Sequence, residues 1–570
     1  MTDTYPYSQP LSHPPDNNHS GVNLTDHLED VAARLTTVVP KTTTPNGTPL
    51  EDIGHIVGIL HDFGKLTTYF QQYLAGNRAG EKLTYHSQVG AALTLYVLTE
   101  TTGYDTTDAL IGFTSVAKHH GQLPNVIDDA VGPTGFFERS DHIYQQAKNI
   151  QTNAPEAAQD ILEKTGTNVQ FDDFVTELEQ GTVDKPLRDE FVGIMFSSGG
   201  KDVPPTAHDA LLGLWSSLLV ADNSSAAGID RESLHTPSLD PVSIQNHIDD
   251  LWNNKTNWSD DLTRLNTARN QARETAVETI RTLPTDGAVA TLTLPTGLGK
   301  TFAGTHASLE HLQAKRKAGY DGRFVYALPF TSVIDQTETI FKDVFDTDPT
   351  SDKLTVHHHL SETVTEHEPE TDTDTFAERE YLLGETWRAS AILTTYVQLL
   401  ESLVGPRNRQ ALKVSSLYGS VILLDEPQSL PSDWWPLFRR LTTVLVDQFD
   451  ATVILMTATQ PRILDDTFSP TELISNPDQY FKTFERVNYT IDDSVLSQDD
   501  RLHITTAGER LADEFQTGTK SVLSITNTIK STTGLFRETI NQLKTTHTPV
   551  YIGQEYEEHL TNECSPPVKN

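Results

Sequence analysis

Leu294-Pro295-Thr296-Gly297-Leu298-Gly299-Lys300-Thr301 decides the fold of the chain's middle. It follows an aliphatic run, Ala288–Leu294, that reads as a buried strand, and it opens a helix, the context that validates a phosphate-binding loop. Within the loop Pro295–Thr301 the available backbone N–H groups would cradle phosphates, Lys300 would reach the β and γ oxygens, and Thr301 would ligate Mg²⁺. Further runs repeat the strand signal between helical stretches: Phe324–Leu328, Ala391–Thr394, Ser420–Leu424 and Thr452–Met456. That alternation predicts a parallel sheet with crossover helices. Val421-Ile-Leu-Leu-Asp425-Glu426 ends one strand in two carboxylates; Asp425 is expected to hold Mg²⁺ and Glu426 to polarise the attacking water. Ala327–Ser332, Thr394–Gln398 and Thr457–Pro461 also follow strands. The first two offer hydroxyls and amides to a single-strand phosphate backbone. The third would couple nucleotide state to that grip.

Upstream the pattern is different. Apolar spacing predicts helices at Leu24–Thr37, Ile53–Leu60, Ala91–Leu98, Ala109–Ala117 and Ala210–Val220, with almost no strand signal before residue 230. Histidines and aspartates stand on or at the ends of these helices: His27, the doublet His61-Asp62, His86, the doublet His119-His120, and Asp222. Imidazole with carboxylate suits borderline ions such as Mn²⁺, Fe²⁺, Co²⁺, Ni²⁺ or Zn²⁺. Five His and two Asp suffice for two ions bridged by Asp62, an arrangement able to stabilise both oxygens of a phosphodiester displacement. Each of these histidines taken singly also fits a helix cap; the ordered set does not. Lys65 suits a phosphate contact or a surface site equally. His13, His19 and His55 lack this context and are expected to be structural or solvated. The segment resembles the HD phosphohydrolase fold.

The net charge is −37, from 79 acidic against 42 basic residues spread along all 570 positions. A nucleic-acid enzyme is expected to be basic. Either the partner is not nucleic acid, or the surplus is an adaptation to molar salt, which screens charge to about 3 Å. The even spread favours the second. No run of about 20 apolar residues predicts a membrane span, no signal pattern opens the chain, and the single cysteine, Cys564, excludes an internal disulfide. A cytoplasmic, membrane-free protein is expected.

Several phrases together carry a family resemblance: His86-Ser87 with Gly90, Lys118-His119-His120-Gly121, Ala221-Asp222, Leu328-Pro329-Phe330, Asp425-Glu426-Pro427-Gln428 and Met456–Pro461. In this order the chain resembles the CRISPR-associated nuclease-helicases of type I systems, and Leu294 in place of a glycine is usual in superfamily 2 helicases. The resemblance implies a metal-dependent single-stranded DNA nuclease and an ATP- and Mg²⁺-dependent 3′ to 5′ helicase. It also implies a crRNA-guided surveillance complex as partner. The implied plan is an all-α HD domain over 1–235, a linker over 236–260, a RecA-like α/β lobe over 261–484, and a partial second RecA-like lobe over 485–570. Gln428 departs from the histidine common at its place. After a strand expected at Ser521–Thr526 few residues remain, so the later helicase motifs, one of which supplies an arginine finger, are expected to be missing through truncation. The alternatives are an HD-plus-helicase repair enzyme and an inert DNA-binding remnant.

Overall fold

The computed structural model describes residues 4–15, 21–131, 135–137, 141–195, 203–253, 259–348, 352–358, 382, 384–464, 467–483, 503–518, 522–526 and 528–543. The chain divides into two compact units, Met1–Phe484 and Glu485–Asn570.

The first unit begins as a helical domain. Helices Leu24–Val38, Leu50–Leu60, Ser87–Glu100, Thr106–Ala117 and Pro205–Ala226 pack on one another. Their shared core holds Leu28, Val31 and Leu35 from the first helix, Ile53 and Val57 from the second, and Phe113, Leu214 and Trp215. The 3–4 spacing that predicted the helices is the spacing that buries these side chains. Each such side chain is worth about 1.5–3 kcal/mol when fully buried.

The N-terminal segment is more ordered than its composition suggests. β1 (Leu11–His13) pairs antiparallel with β2 (Val22–Asn23), Leu11 opposite Asn23. Gln71 exchanges two hydrogen bonds with the Leu11 backbone, at 3.0 and 2.8 Å. Residues 1–20, rich in Pro, Ser, His and Asn, read in sequence as a loose start, and this stretch corrects that reading.

The second half of the unit is a seven-stranded parallel sheet. Its strands are β3 (Ala288–Thr293), β4 (Phe324–Leu328), β5 (Leu354–His357), β6 (Ala391–Thr395), β7 (Val421–Asp425), β8 (Thr452–Thr457) and β9 (Thr471–Glu472), in the order β5-β6-β4-β7-β8-β3-β9. Strands β3, β4 and β8 are buried along their whole length. Helices cover the sheet, among them Asp260–Ile280 and Lys300–Lys317. The stretch expected to be a plain Pro-containing joint instead contains a helix, Val242–Asn253, whose Ile244 and Ile248 enter the core on one face of the sheet.

In the second unit, helices Ile504–Thr517 and Ile529–Leu543 pack together, with Gly508 facing Glu538. The strand expected at Ser521–Thr526 is not formed among the described residues: 522–526 pairs with nothing, and Leu523 and Ile525 are 85% and 86% exposed. The acidic stretch 361–377, the start of this unit near Val487, and the tail with Cys564 lie outside the described residues.

Candidate metal centre and nucleotide site

The helix Leu50–Leu60 stops at His61, which still has helical angles, and Asp62 then turns to φ −108° and ψ 17° before a 3₁₀ turn, Phe63–Leu66. That break lets two consecutive side chains point the same way. His86 is laid against this turn by two glycines. A Cβ on Gly64 would collide with the His86 backbone, and one on Gly90 would come within 2.5 Å of the Leu60 carbonyl. His27 faces the doublet from the first helix, Asp222 from Pro205–Ala226, and His119 and His120 from the turn after Thr106–Ala117.

All seven residues converge, in two groups that share Asp62. One is His27, His61, Asp62 and Asp222; the other is Asp62, His86, His119 and His120. Within each group the ligand atoms lie within 4.8 Å of one another. The two carboxylate oxygens of Asp62 divide the work. Oδ2 stands 3.4 Å from Nε2 of both His27 and His61; Oδ1 stands 3.1 Å from His86 Nε2 and 3.4 Å from His119 Nε2. Nε2 of His27, His61 and His119 is buried without a hydrogen-bond partner. Their other nitrogens are engaged: His61 Nδ1 lies 2.8 Å from the Gly58 carbonyl and His119 Nδ1 lies 2.7 Å from that of Val116. A proton held on Nδ1 by a carbonyl leaves Nε2 as a free acceptor, the tautomer a metal ligand needs. Orphaned buried acceptors are costly, and here they all aim at two points. The residues therefore fit two cations.

The electrostatics agree. Burial resists charge on His61, yet Asp62 and Asp222 lift it to about 10. Burial also works against ionisation of Asp62 and Asp222, but Lys65 and the imidazoles hold Asp62, and His27 and His61 hold Asp222, well below the usual carboxylate range. Burial, then the neighbouring imidazoles, push His120 down to about 3. Positive charge is favoured on His61, whereas burial above all disfavours it on His86 and His120.

Four neighbours complete the site: Lys65, for which the sequence left two readings, His13, which it read as remote, and Asp30 and Ser225, which it did not single out. Lys65 is buried, not on the surface, and its Nζ pairs with Asp62 Oδ2 at 2.7 Å. His13 is not remote; β1 brings its ring edge-on to His27, centroids 5.2 Å apart. Asp30 and Ser225 back His27: the Ser225 hydroxyl donates to Asp30 at 2.7 Å and lies 3.3 Å from His27 Nδ1. Arg34 and Arg231 hold Asp30 in turn. Asp30 lies one turn after His27 on the same helix, a spacing that could have flagged it. His55, bonded to the Lys164 carbonyl, is structural as expected, and His19 lies outside the described residues.

The second site lies at the carboxyl ends of the strands, where ligands bind in open parallel sheets. The loop Leu294–Thr301 turns through left-handed Gly297 (φ 81°) and Gly299 (φ 73°), and Lys300 begins the next helix. Arg269 donates from Nε and Nη2 to the Gly297 carbonyl at 3.0 and 2.7 Å. Lys300 Nζ donates to Glu426 Oε1 at 2.5 Å. Glu426 itself sits at φ 53°, strained for a residue with a side chain. Gln428 donates to Glu426 Oε2 at 2.6 Å, and the Thr457 hydroxyl is shared between Glu426 and Gln428 at 3.0 and 2.7 Å. Burial raises Asp425; against the burial of Glu426, Lys300 and Gln428 lower it. A cavity of about 520 Å³ is lined by Thr296, Gly297, Gly299, Lys300, Thr301, Asp425 and Glu426 on one side; Trp252, Asn270 and Arg273 are among the residues on the other. Pro295 and Leu298 belong to the loop but not to that lining.

Comparison with known proteins adds the following. Residues 13–187 match the family described as Cas3, HD domain, and residues 271–467 match the DEAD/DEAH box helicase family. The chain is 36% identical over 547 residues to the CRISPR-associated nuclease/helicase Cas3 of Haloferax volcanii, spanning 86% of this chain and 58% of that protein's length. Two crystal structures resemble it with less identity. T. fusca Cas3-ATP matches at 20% identity with a TM-score of 0.46, covering 85% of this chain and 54% of that one. T. fusca Cas3-AMPPNP matches at 19% with a TM-score of 0.45, covering 86% and 53%. No helix among the described residues is long and apolar enough to cross a membrane.

Proposed function

With an HD domain of the Cas3 family joined to a DEAD/DEAH box helicase domain, we propose that the chain acts as a CRISPR-associated nuclease/helicase. It cuts single-stranded DNA at the His/Asp centre and moves along that strand 3′ to 5′ with ATP, in the cytoplasm, on targets opened by a crRNA-guided surveillance complex. One observation carries the nuclease half: two ligand groups share Asp62, and the buried Nε2 atoms of His27, His61 and His119 are left without partners.

His27, His61, Asp62 and Asp222 would hold one ion, and Asp62, His86, His119 and His120 the other. Mn²⁺, Co²⁺, Ni²⁺ and Fe²⁺ all suit this donor set. Bound there, such ions supply Lewis-acid stabilisation of the charge that develops in phosphodiester hydrolysis. The chain supplies the rest. Ser225 and Asp30 orient the His27 ring, and the Gly58 and Val116 carbonyls fix the tautomers of His61 and His119. Lys65, paired with Asp62 Oδ2, would contact the scissile phosphate. In the motor, Lys300, Thr301 and the loop amides hold the nucleotide phosphates, Asp425 holds Mg²⁺, and Glu426 orients the attacking water. The exposed Phe330 at the end of β4 offers a face for base stacking. The acid surplus is an adaptation to salt and leaves DNA binding to local groups.

The test is cleavage of single-stranded DNA in molar KCl with Mn²⁺, Co²⁺ or Ni²⁺. Cleavage that needs the ion and disappears in both Asp62→Ala and His119→Ala supports the reading. Cleavage persisting in both variants sinks it.

A further inference from the structure

The turn that carries His119 and His120 is held largely by side chains and backbone from elsewhere. Its Lys118 carbonyl accepts from Trp215 Nε1 at 3.1 Å, its His119 carbonyl accepts from Asn408 Nδ2 at 2.7 Å, and its Leu123 amide donates to the Pro406 carbonyl at 2.8 Å. Trp215 lies on the helix that also bears Asp222. Pro406 and Asn408 belong to the sheet-bearing half of the unit, nearly 300 residues further along the chain (|i−j| = 289 for the Asn408 bond).

We propose that Asn408 is a positioning residue of the metal centre. From the nucleotide-binding half of the molecule it fixes the His119 carbonyl, and with it the ligand group made by His86, His119 and His120. The inference rests on the metal-centre reading given above and deepens it.

Four observations carry it. His119 and His120 stand past the end of their helix, in a turn closed by Gly121 whose local bonds, His119 N–H to the Val116 carbonyl at 3.5 Å and Gly121 N–H to the Lys118 carbonyl at 3.0 Å, leave the His119 carbonyl to Asn408. Asn408 spends its donor on the ligand's own carbonyl; its Oδ1 is buried without a partner, so the amide is placed for donation alone. The arm behind Asn408 is stiff. Helix Tyr396–Val404 spans about 13 Å and ends at Gly405, where a Cβ would strike the Gln410 side chain. Its first residue, Tyr396, donates from its hydroxyl to the Asp425 carbonyl, beside the nucleotide cavity. Beyond Asn408 the chain is welded to the Asp222 helix, because Ser216 donates to the Ala411 carbonyl at 2.6 Å and accepts from the Ser415 amide at 2.8 Å. The rings of the first ligand group are bonded within the helical domain: His61 to the Gly58 carbonyl and His27 to Ser225, which Asp30 holds.

A donor that merely satisfied a buried carbonyl would affect stability and nothing else. A positioning donor affects one ion and not the other. Outer partners of metal ligands are typically worth about 10–100-fold in affinity. The experiment is Co²⁺ titration of the full chain, read by equilibrium dialysis and by the visible absorption of the bound ion. AMPPNP binding in the same samples reports that the sheet-bearing half is folded. Wild type should take up two ions. Asn408→Leu should take up the first with unchanged affinity and the second about 10–100-fold more weakly, with an altered absorption band for that second ion only. Asn408→Ser, too short to reach the carbonyl, repeats the comparison should the leucine fail to pack. Two ions bound with wild-type affinities and spectra in these variants would overturn the inference alone. A wild type that takes up fewer than two ions would overturn the metal-centre reading and this inference with it.

Discussion

In the metal centre, Nε2 of His27, His61 and His119 faces Asp62 at 3.4 Å with no hydrogen bond made. In the nucleotide cavity, Lys300, Glu426, Gln428 and Thr457 are bonded to one another at 2.5–3.0 Å. Both sets are polar and convergent and lie in the same unit, the first buried and the second reaching to exposed Gln428. The first can be satisfied only from outside the chain. The second satisfies itself and must be opened by its ligand. A rigid centre built for permanent occupants and a responsive one built for a ligand that comes and goes should differ in this way.

The largest effect should come from the shared carboxylate. Asp62→Ala should reduce DNA cleavage to background in a gel assay. It should also abolish the rise in melting temperature that Mn²⁺ gives the wild type, because each bound ion stabilises the native state by about 2.7 kcal/mol at a hundredfold excess over Kd. An unchanged Mn²⁺ shift in the variant would break the comparison on the metal side.

Glu426→Gln probes the other side. Removing the carboxylate charge frees Lys300 and removes the group that would orient water. ATP turnover should fall by about 10²–10⁴, while AMPPNP affinity, read by fluorescence titration, stays equal or rises. A matched loss of affinity would mean that the Lys300–Glu426 pair does not compete with nucleotide.

Gly64→Ala sharpens the claim of rigidity. The new methyl must push His86 away from the doublet, a strain of about 1–3 kcal/mol. Melting should show the loss of stability, and metal titration should show weaker binding in the His86 group first. Gln428→Ala is smaller. It removes one of several bonds around Glu426, each worth about 0.5–1.5 kcal/mol, so ATP turnover should drop only about 2–10-fold.

How much of this was legible in the sequence follows from the range of the interactions. The seven clustered residues stand on helices or at helix termini, and the helical period makes such places readable. The same holds for the phosphate loop, framed by a strand and a helix. His13 was not readable, because its place depends on Leu11 pairing with Asn23 across a turn, immediately before the helix that carries His27. For Lys65 the sequence left a phosphate contact and a surface site both open, because what buries it, the Ser12 carbonyl of β1 at 3.4 Å from its Nζ, is remote in sequence. β5 was missed because a four-residue edge strand carries little apolar signal, and the helix Val242–Asn253 because Pro237 and Pro241 suggested a joint, although a proline just before a helix is well tolerated. Ser521–Thr526 shows the reverse case: β-branched composition suggests a strand, but a strand needs a partner, and 522–526 has none among the described residues.

The most direct measurement is the Mn²⁺ stoichiometry of the full chain and of Asp62→Ala, by equilibrium dialysis in molar KCl. The two-group arrangement predicts two ions per wild-type chain and loss of both high-affinity sites from the single substitution, because one carboxylate serves both. One ion per chain, or two ions that survive Asp62→Ala, would contradict it.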